Sequence, residues 1–78
     1  MAALKLVAID WIDSKGATNR WEYRDELEPL EPSRCTSIGF LLEDTPQYKT
    51  LAQTMSAEQV LGRITIPARS ILRQRTLR

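Results

Sequence analysis

Five arginines crowd the end of this chain. The last sixteen residues, RITIPARSILRQRTLR, hold Arg63, Arg69, Arg73, Arg75 and Arg78 and no acid. A guanidinium offers a planar fork of donors that matches carboxylates and phosphates two bonds at a time, so such a run suits either partner. Phosphate contacts by a basic patch would give salt-sensitive nucleic-acid binding, and Trp21 and Tyr23 could stack on bases beside it. The competing partners are carboxylates: Asp25, Glu26, Glu28 and Glu31 lie earlier in the same chain, and either the same copy or a neighbouring subunit could supply them. Tryptophan and tyrosine are likewise enriched at subunit contacts. Arg63, Arg69, Arg73, Arg75, Trp21 and Tyr23 are therefore the candidate contact residues, for an interface first and for nucleic acid second.

Other chemistries find little support. The chain has no histidine, which removes the commonest general base, metal ligand and pH switch. Cys35 would be nucleophilic only in a setting that lowers its pKa. Arg34 is adjacent, but a small buried strand residue is the plainer reading of a free cysteine. Glu43-Asp44 and the Asp10/Asp13 pair lack a calcium-loop spacing, and Glu43-Asp44 precedes Thr-Pro in a turn. There is no glycine-rich phosphate loop and no zinc spacing. The expectation is a protein that is not an enzyme, with no metal and no cofactor.

Size and charge agree with that. A single domain of 78 residues buries only about 60% of its unfolded surface and has little core to spare for a catalytic cleft. Apolar and charged fractions of 42% and 27% are those of a globular protein. No run approaches the roughly 18 apolar residues of a membrane span. The N-terminus does not read as a signal peptide, and a lone cysteine suits a reducing cytoplasm. Net charge is +1, but residues 1–31 carry seven acids and four bases whereas residues 63–78 carry five bases. The chain is dipolar along its sequence.

The elements that must position these residues read mostly as strands. LKLVAIDWID alternates Val7, Ile9 and Trp11 against Ala8 and Asp10, with β-branched and aromatic content and Trp11 in the core. DSKG has turn chemistry. In WEYRDELEPLEPSR, prolines at 29 and 32 bar a continuous helix, which leaves an irregular acidic loop at about 19–33 with a short strand around Trp21 and Tyr23. CTSIGFLLED is a strand from Cys35 with Ile38, Phe40 and Leu42 on one face, and Gly39 in mid-strand marks a bend or a close backbone approach. YKTLAQTM is the next strand, with Tyr48, Thr50 and Ala52 on one face. VLGRITIP follows, with Val60, Gly62, Ile64 and Ile66 opposite Leu61, Arg63 and Thr65. Pro67 ends it, PARS suits one 3-10 turn, and ILRQRTL closes the sheet with Arg73 and Arg75 projecting together. Short strands at short spacing make the fold all-β: a small five-stranded antiparallel barrel, SH3-like or Sm-like, as one domain over residues 1–78.

SIGFLLEDTPQYKTLAQTM followed by GRITIPARSIL resembles small proteins of bacteriophages and prophages that carry a W-D-S … C-x-S-x-G-x-L … I-P pattern. Its matches are Trp11, Asp13 and Ser14, then Cys35, Ser37, Gly39 and Leu41, then Ile66 and Pro67. The strand order is also similar, more distantly, to Sm-like barrels. The Asp and Asn pair with which Sm proteins line their RNA pocket is absent, and Gln47 and Tyr48 stand near that place, so RNA binding in the Sm manner is not expected. The resemblance implies an accessory protein of a phage or prophage in the bacterial cytoplasm. Together with edge strands that another copy can pair, it implies a self-associating interaction module: a homo-oligomer, with a host or phage protein as a further partner. The alternative is binding of single-stranded RNA or DNA through the arginine-rich end.

Overall fold

A computed structural model describes residues 4–17 and 19–78. Its described residues form one antiparallel sheet of five strands: β1 Leu6–Asp13, β2 Ser33–Asp44, β3 Tyr48–Met55, β4 Val60–Pro67 and β5 Ile71–Thr76. The spatial order is β4-β3-β2-β1-β5, and a 3-10 turn, Ala68–Ser70, precedes the last strand.

That order forces curvature. β4 and β5 lie at opposite edges, yet only three residues separate them. A flat sheet would hold them about 19 Å apart at its strand spacing, whereas four Cα steps reach at most about 14 Å. The sheet therefore curls until its edges approach at the Pro67 end. Two contacts across the concave side show the same thing. Ile66 of β4 packs in one cluster with Val7 and Ile9 of β1 and Leu51 of β3, and the Lys49 ammonium of β3 donates to the Gln74 amide oxygen of β5. No ladder joins β4 to β5 among the described residues, so the sheet is curled but open.

The concave face holds the core. Val7, Ile9, Leu51 and Ile66 are essentially inaccessible, and Trp11, Leu41 and Ile71 pack against them half-buried. Trp11 donates its indole N–H to Ser37 Oγ at 3.0 Å, which satisfies the ring's polar atom on the core side. At Gly39 β2 lies close against β3: a Cβ there would sit 2.7 Å from the Ala52 carbonyl oxygen. The glycine thus marks a close backbone approach, as its mid-strand position suggested. Thr50 is buried on the convex side, as are Ala8 and Ala52, which lie between larger cross-strand neighbours, Ile38 and Arg75 for Ala8 and Phe40 and Arg63 for Ala52. Thr50 also shares a 2.8 Å hydroxyl–hydroxyl bond with Thr65.

The β2–β3 and β3–β4 turns are built alike. Thr45 Oγ1 accepts from the amide of Tyr48 at 3.0 Å, and Ser56 Oγ accepts from that of Gln59 at 3.0 Å. The side-chain hydroxyl stands in for a backbone acceptor, as in other ST-turns. Gly62 takes φ +74° on β4, the one positive φ among the described residues.

Three sequence expectations are corrected. Trp21 and Tyr23 form no strand; the ordered element beside them is a 3-10 turn, Arg24–Glu26. Segment 21–31 lacks the alternation of a strand, and the two strands that flank it, β1 and β2, are both interior and offer it no free edge. The DSKG stretch makes no turn after β1 either. On β2 Ile38 and Phe40 do share a face, the convex one, with Ile38 well exposed and Leu41 on the core side, but Leu42 does not join them. A register irregularity between Leu41 and Glu43 leaves Leu42 unpaired, so the strand's parity switches there.

Candidate functional site

Cross-strand register places the outward residues in rows. Asp10 of β1 lies between Thr36 of β2 and Arg73 of β5; Ala8 lies between Ile38 and Arg75; Ile12 faces Arg34. Directly opposed residues share a face of the sheet, so Arg34, Arg73 and Arg75 project from one side of the β2-β1-β5 half, with Ile38 and Ile12 exposed among them. Arg34 is a residue that the sequence reading passed over. Starting β2 at Ser33 instead of Cys35 would have put Arg34, Thr36 and Ile38 on one face and revealed it.

Arg63 does not join this group. Its row runs Arg63, Ala52, Phe40, Leu6 across β4, β3, β2 and β1, which leaves it on the far edge of a convex surface. Arg69 sits in the 3-10 turn between β4 and β5, exposed. The four arginines singled out in the sequence thus separate into a pair, Arg73 with Arg75, and two isolated cations.

Arg73 already has a partner. Its Nε donates to Asp10 Oδ2 at 3.2 Å, and Nη2 lies 3.2 Å from the same oxygen. Thr36 Oγ1 donates to Asp10 Oδ1 at 2.7 Å. The Thr36 bond, then Arg73 and the charge of Arg75, hold the Asp10 carboxyl below its ordinary range. Arg34 and Arg75 make no ion pair among the described residues.

At the other end of β2, Tyr48 donates its phenol to Glu43 at 3.1 Å, which raises the phenol's pKa. Asp44 lies 3.4 Å from Lys49. The neighbours Glu43 and Asp44 thus serve separate local contacts and do not converge. Cys35 is half-buried opposite Trp11, its thiol 3.8 Å from the Ser33 carbonyl. Among the described residues no group of three or more Cys, Asp or Glu could hold a metal ion, and no helix is long and apolar enough to cross a membrane.

Trp21 and Tyr23 lie elsewhere. Asp13 pairs with Ser33 at the end of the β1–β2 ladder, and between them the chain makes an excursion in which every described residue is exposed. Trp21 has 102% of its reference surface accessible, so its own sheet covers none of it. Leu27 and Leu30 are also exposed. The arm explains the shape: a chain of this length packs to a radius of gyration of about 11–12 Å when compact, whereas this one has 16.5 Å and is 57 Å long. The β3–β4 hairpin tip leaves the sheet at the same end, since β3 pairs only with β4 beyond Ala52.

β4 is the other exposed element. Of its eight residues only Ile66 is buried, and Val60, Leu61 and Ile64 are accessible along a sheet edge.

No family model matches this sequence, and no curated protein or solved structure shows significant similarity to it.

Proposed function

We propose that this chain is a non-enzymatic interaction module that self-associates through the open edges of a small SH3-like or Sm-like barrel. The observation that carries the reading is β4, an edge strand of eight residues with seven of them exposed. Natural sheets protect such edges with charges, prolines or covering elements. β4 has one charge, Arg63, and one proline at its end, while Val60, Leu61 and Ile64 remain accessible. A second copy pairing here would satisfy the free backbone groups and cover those side chains together. The pattern W-D-S … C-x-S-x-G-x-L … I-P supports placing the module among phage or prophage accessory proteins in the host cytoplasm, with a host or phage protein as its further partner. Light scattering on the eluting chain tests self-association. A β4 variant, Leu61→Lys with Ile64→Lys, should shift the chain towards monomer, and an unchanged mass would remove the edge from the interface.

A second reading, binding of single-stranded nucleic acid, draws on the convergence of Arg34, Arg73 and Arg75 on one face. It predicts a mobility shift at low salt that disappears in Arg73→Ala with Arg75→Ala. The absence of any shift for the native chain ends it. The Arg73–Asp10 pair and the scattering of Arg63 and Arg69 leave it second.

A further inference from the structure

The arm between β1 and β2 and the arginine face of β2, β1 and β5 carry opposite charge and matching apolar surface. From Trp21 to Pro32 the arm has five acids, Glu22, Asp25, Glu26, Glu28 and Glu31, against one base, Arg24. Its side chains form a recess of about 630 Å³ in which Glu22, Glu26 and Glu28 stand beside Leu27, Pro29 and Leu30. Carboxylates and apolar side chains lining one recess suit an arginine, whose stem is apolar and whose head is a fork of donors. The face offers that group: Arg34 and Arg75 unpaired among the described residues, with Ile38 exposed in the same row as Arg75 across the small Ala8. Pro29 and Pro32 restrict the arm before it binds, so less conformational freedom is lost on docking. Connections of this length are uncommon in compact domains, where functional loops and linkers account for most of them.

We propose that the arm of one copy docks on the Arg34/Arg75 face of a second copy, with Trp21 covered in the contact. The proposal rests on the self-association reading and names a surface for it distinct from the β4 edge. The arm also leaves the sheet beside Arg34, which is next to the Ser33 end of β2, so the test must separate docking between copies from folding back onto the same copy.

Charge reversal with mixing does this. One variant carries Arg34→Glu with Arg75→Glu, which leaves the Arg73–Asp10 pair in place; the other carries Glu26→Arg with Glu28→Arg. Circular dichroism confirms that each is folded. Each alone should associate at least about tenfold more weakly than the native chain, given reversal at two charged sites, while the equimolar mixture recovers native association. In a Trp11→Phe background, Trp21 emission should shift to the blue as concentration rises. Native association in both single variants overturns arm docking and leaves self-association standing. A Trp21 shift independent of concentration assigns the arm to its own copy and overturns the proposal. A native chain that stays monomeric removes the reading on which both rest.

Discussion

Gly39 and Gly62 sit on the two strands that flank β3, for different reasons, and substituting them separates the two. A Cβ at position 39 would lie 2.7 Å from the Ala52 carbonyl oxygen and 3.2 Å from the Leu51 Cβ, neither of which can move without shifting β3. At position 62 the obstacle is the +74° φ together with the Gln53 side chain, which is flexible beyond its Cβ. Gly39→Ala should therefore cost more, about 1–3 kcal/mol as overpacking, against about 1 kcal/mol for Gly62→Ala from the left-handed backbone. Thermal unfolding of the two variants checks the order, since each kcal/mol moves the midpoint by about 4–8 °C in a chain this size. Equal midpoints would mean that β2 and β3 are not in close contact at Gly39. Asp10 gives a pH prediction. Its folded pKa is lowered by the Thr36 bond and by Arg73 and Arg75, so its contribution is present above the unfolded carboxylate value of about 4. That contribution is lost as pH falls through the folded value. Asp10→Asn should flatten the acid side of the stability profile. Tyr48 has the opposite sign. Its pKa is raised by the bond to Glu43, so its contribution is present below the unfolded phenol value of about 10 and fades as pH climbs through the folded value.

At the level of elements, the sheet and the arm are energetically separate. The core cluster draws on β1, β3 and β4, and none of the described arm residues is buried in it. Replacing residues 19–31 with a short glycine-containing turn should leave the thermal midpoint within about 2 °C of the native value, as for surface changes generally. By contrast, Leu51→Ala should cost about 2–5 kcal/mol from the middle of the core. Association also raises the midpoint, so a large loss on arm replacement that persists at concentrations where the native chain is monomeric would show that the arm packs on its own sheet. The strands were legible in the sequence because their signal is local: Val7, Ile9 and Trp11 alternate, Thr45-Pro46 and Ser56 carry turn chemistry, and Pro67 stops β4. What stayed illegible is what local signals do not encode. Ile38 and Phe40 alternate just as a core face would, and only the partner strands place Gly39 and Leu41 inside instead. Leu42 gives no warning of the irregularity that flips parity at Glu43. Arg73 and Arg75 could be placed together from their spacing, but Asp10 and Arg34 join them only through register with β1 and β2, sixty-three residues from Asp10 to Arg73.

On the scale of the whole molecule, the sheet curls around a small core and leaves three surfaces unused: the β4 edge, the arginine face and the arm. They are complementary in kind, backbone donors and acceptors along one and opposite charges on the other two. Self-association would account for all three with a single partner, whereas nucleic-acid binding through the arginine face, even with Trp21 stacked on a base, would leave β4 exposed. The most direct test is the mass of the native chain by size-exclusion chromatography with light scattering, from low to high micromolar concentration. Self-association predicts a mass at least twice the 8.9 kDa of one chain. A single species of one chain's mass at high micromolar concentration would contradict it.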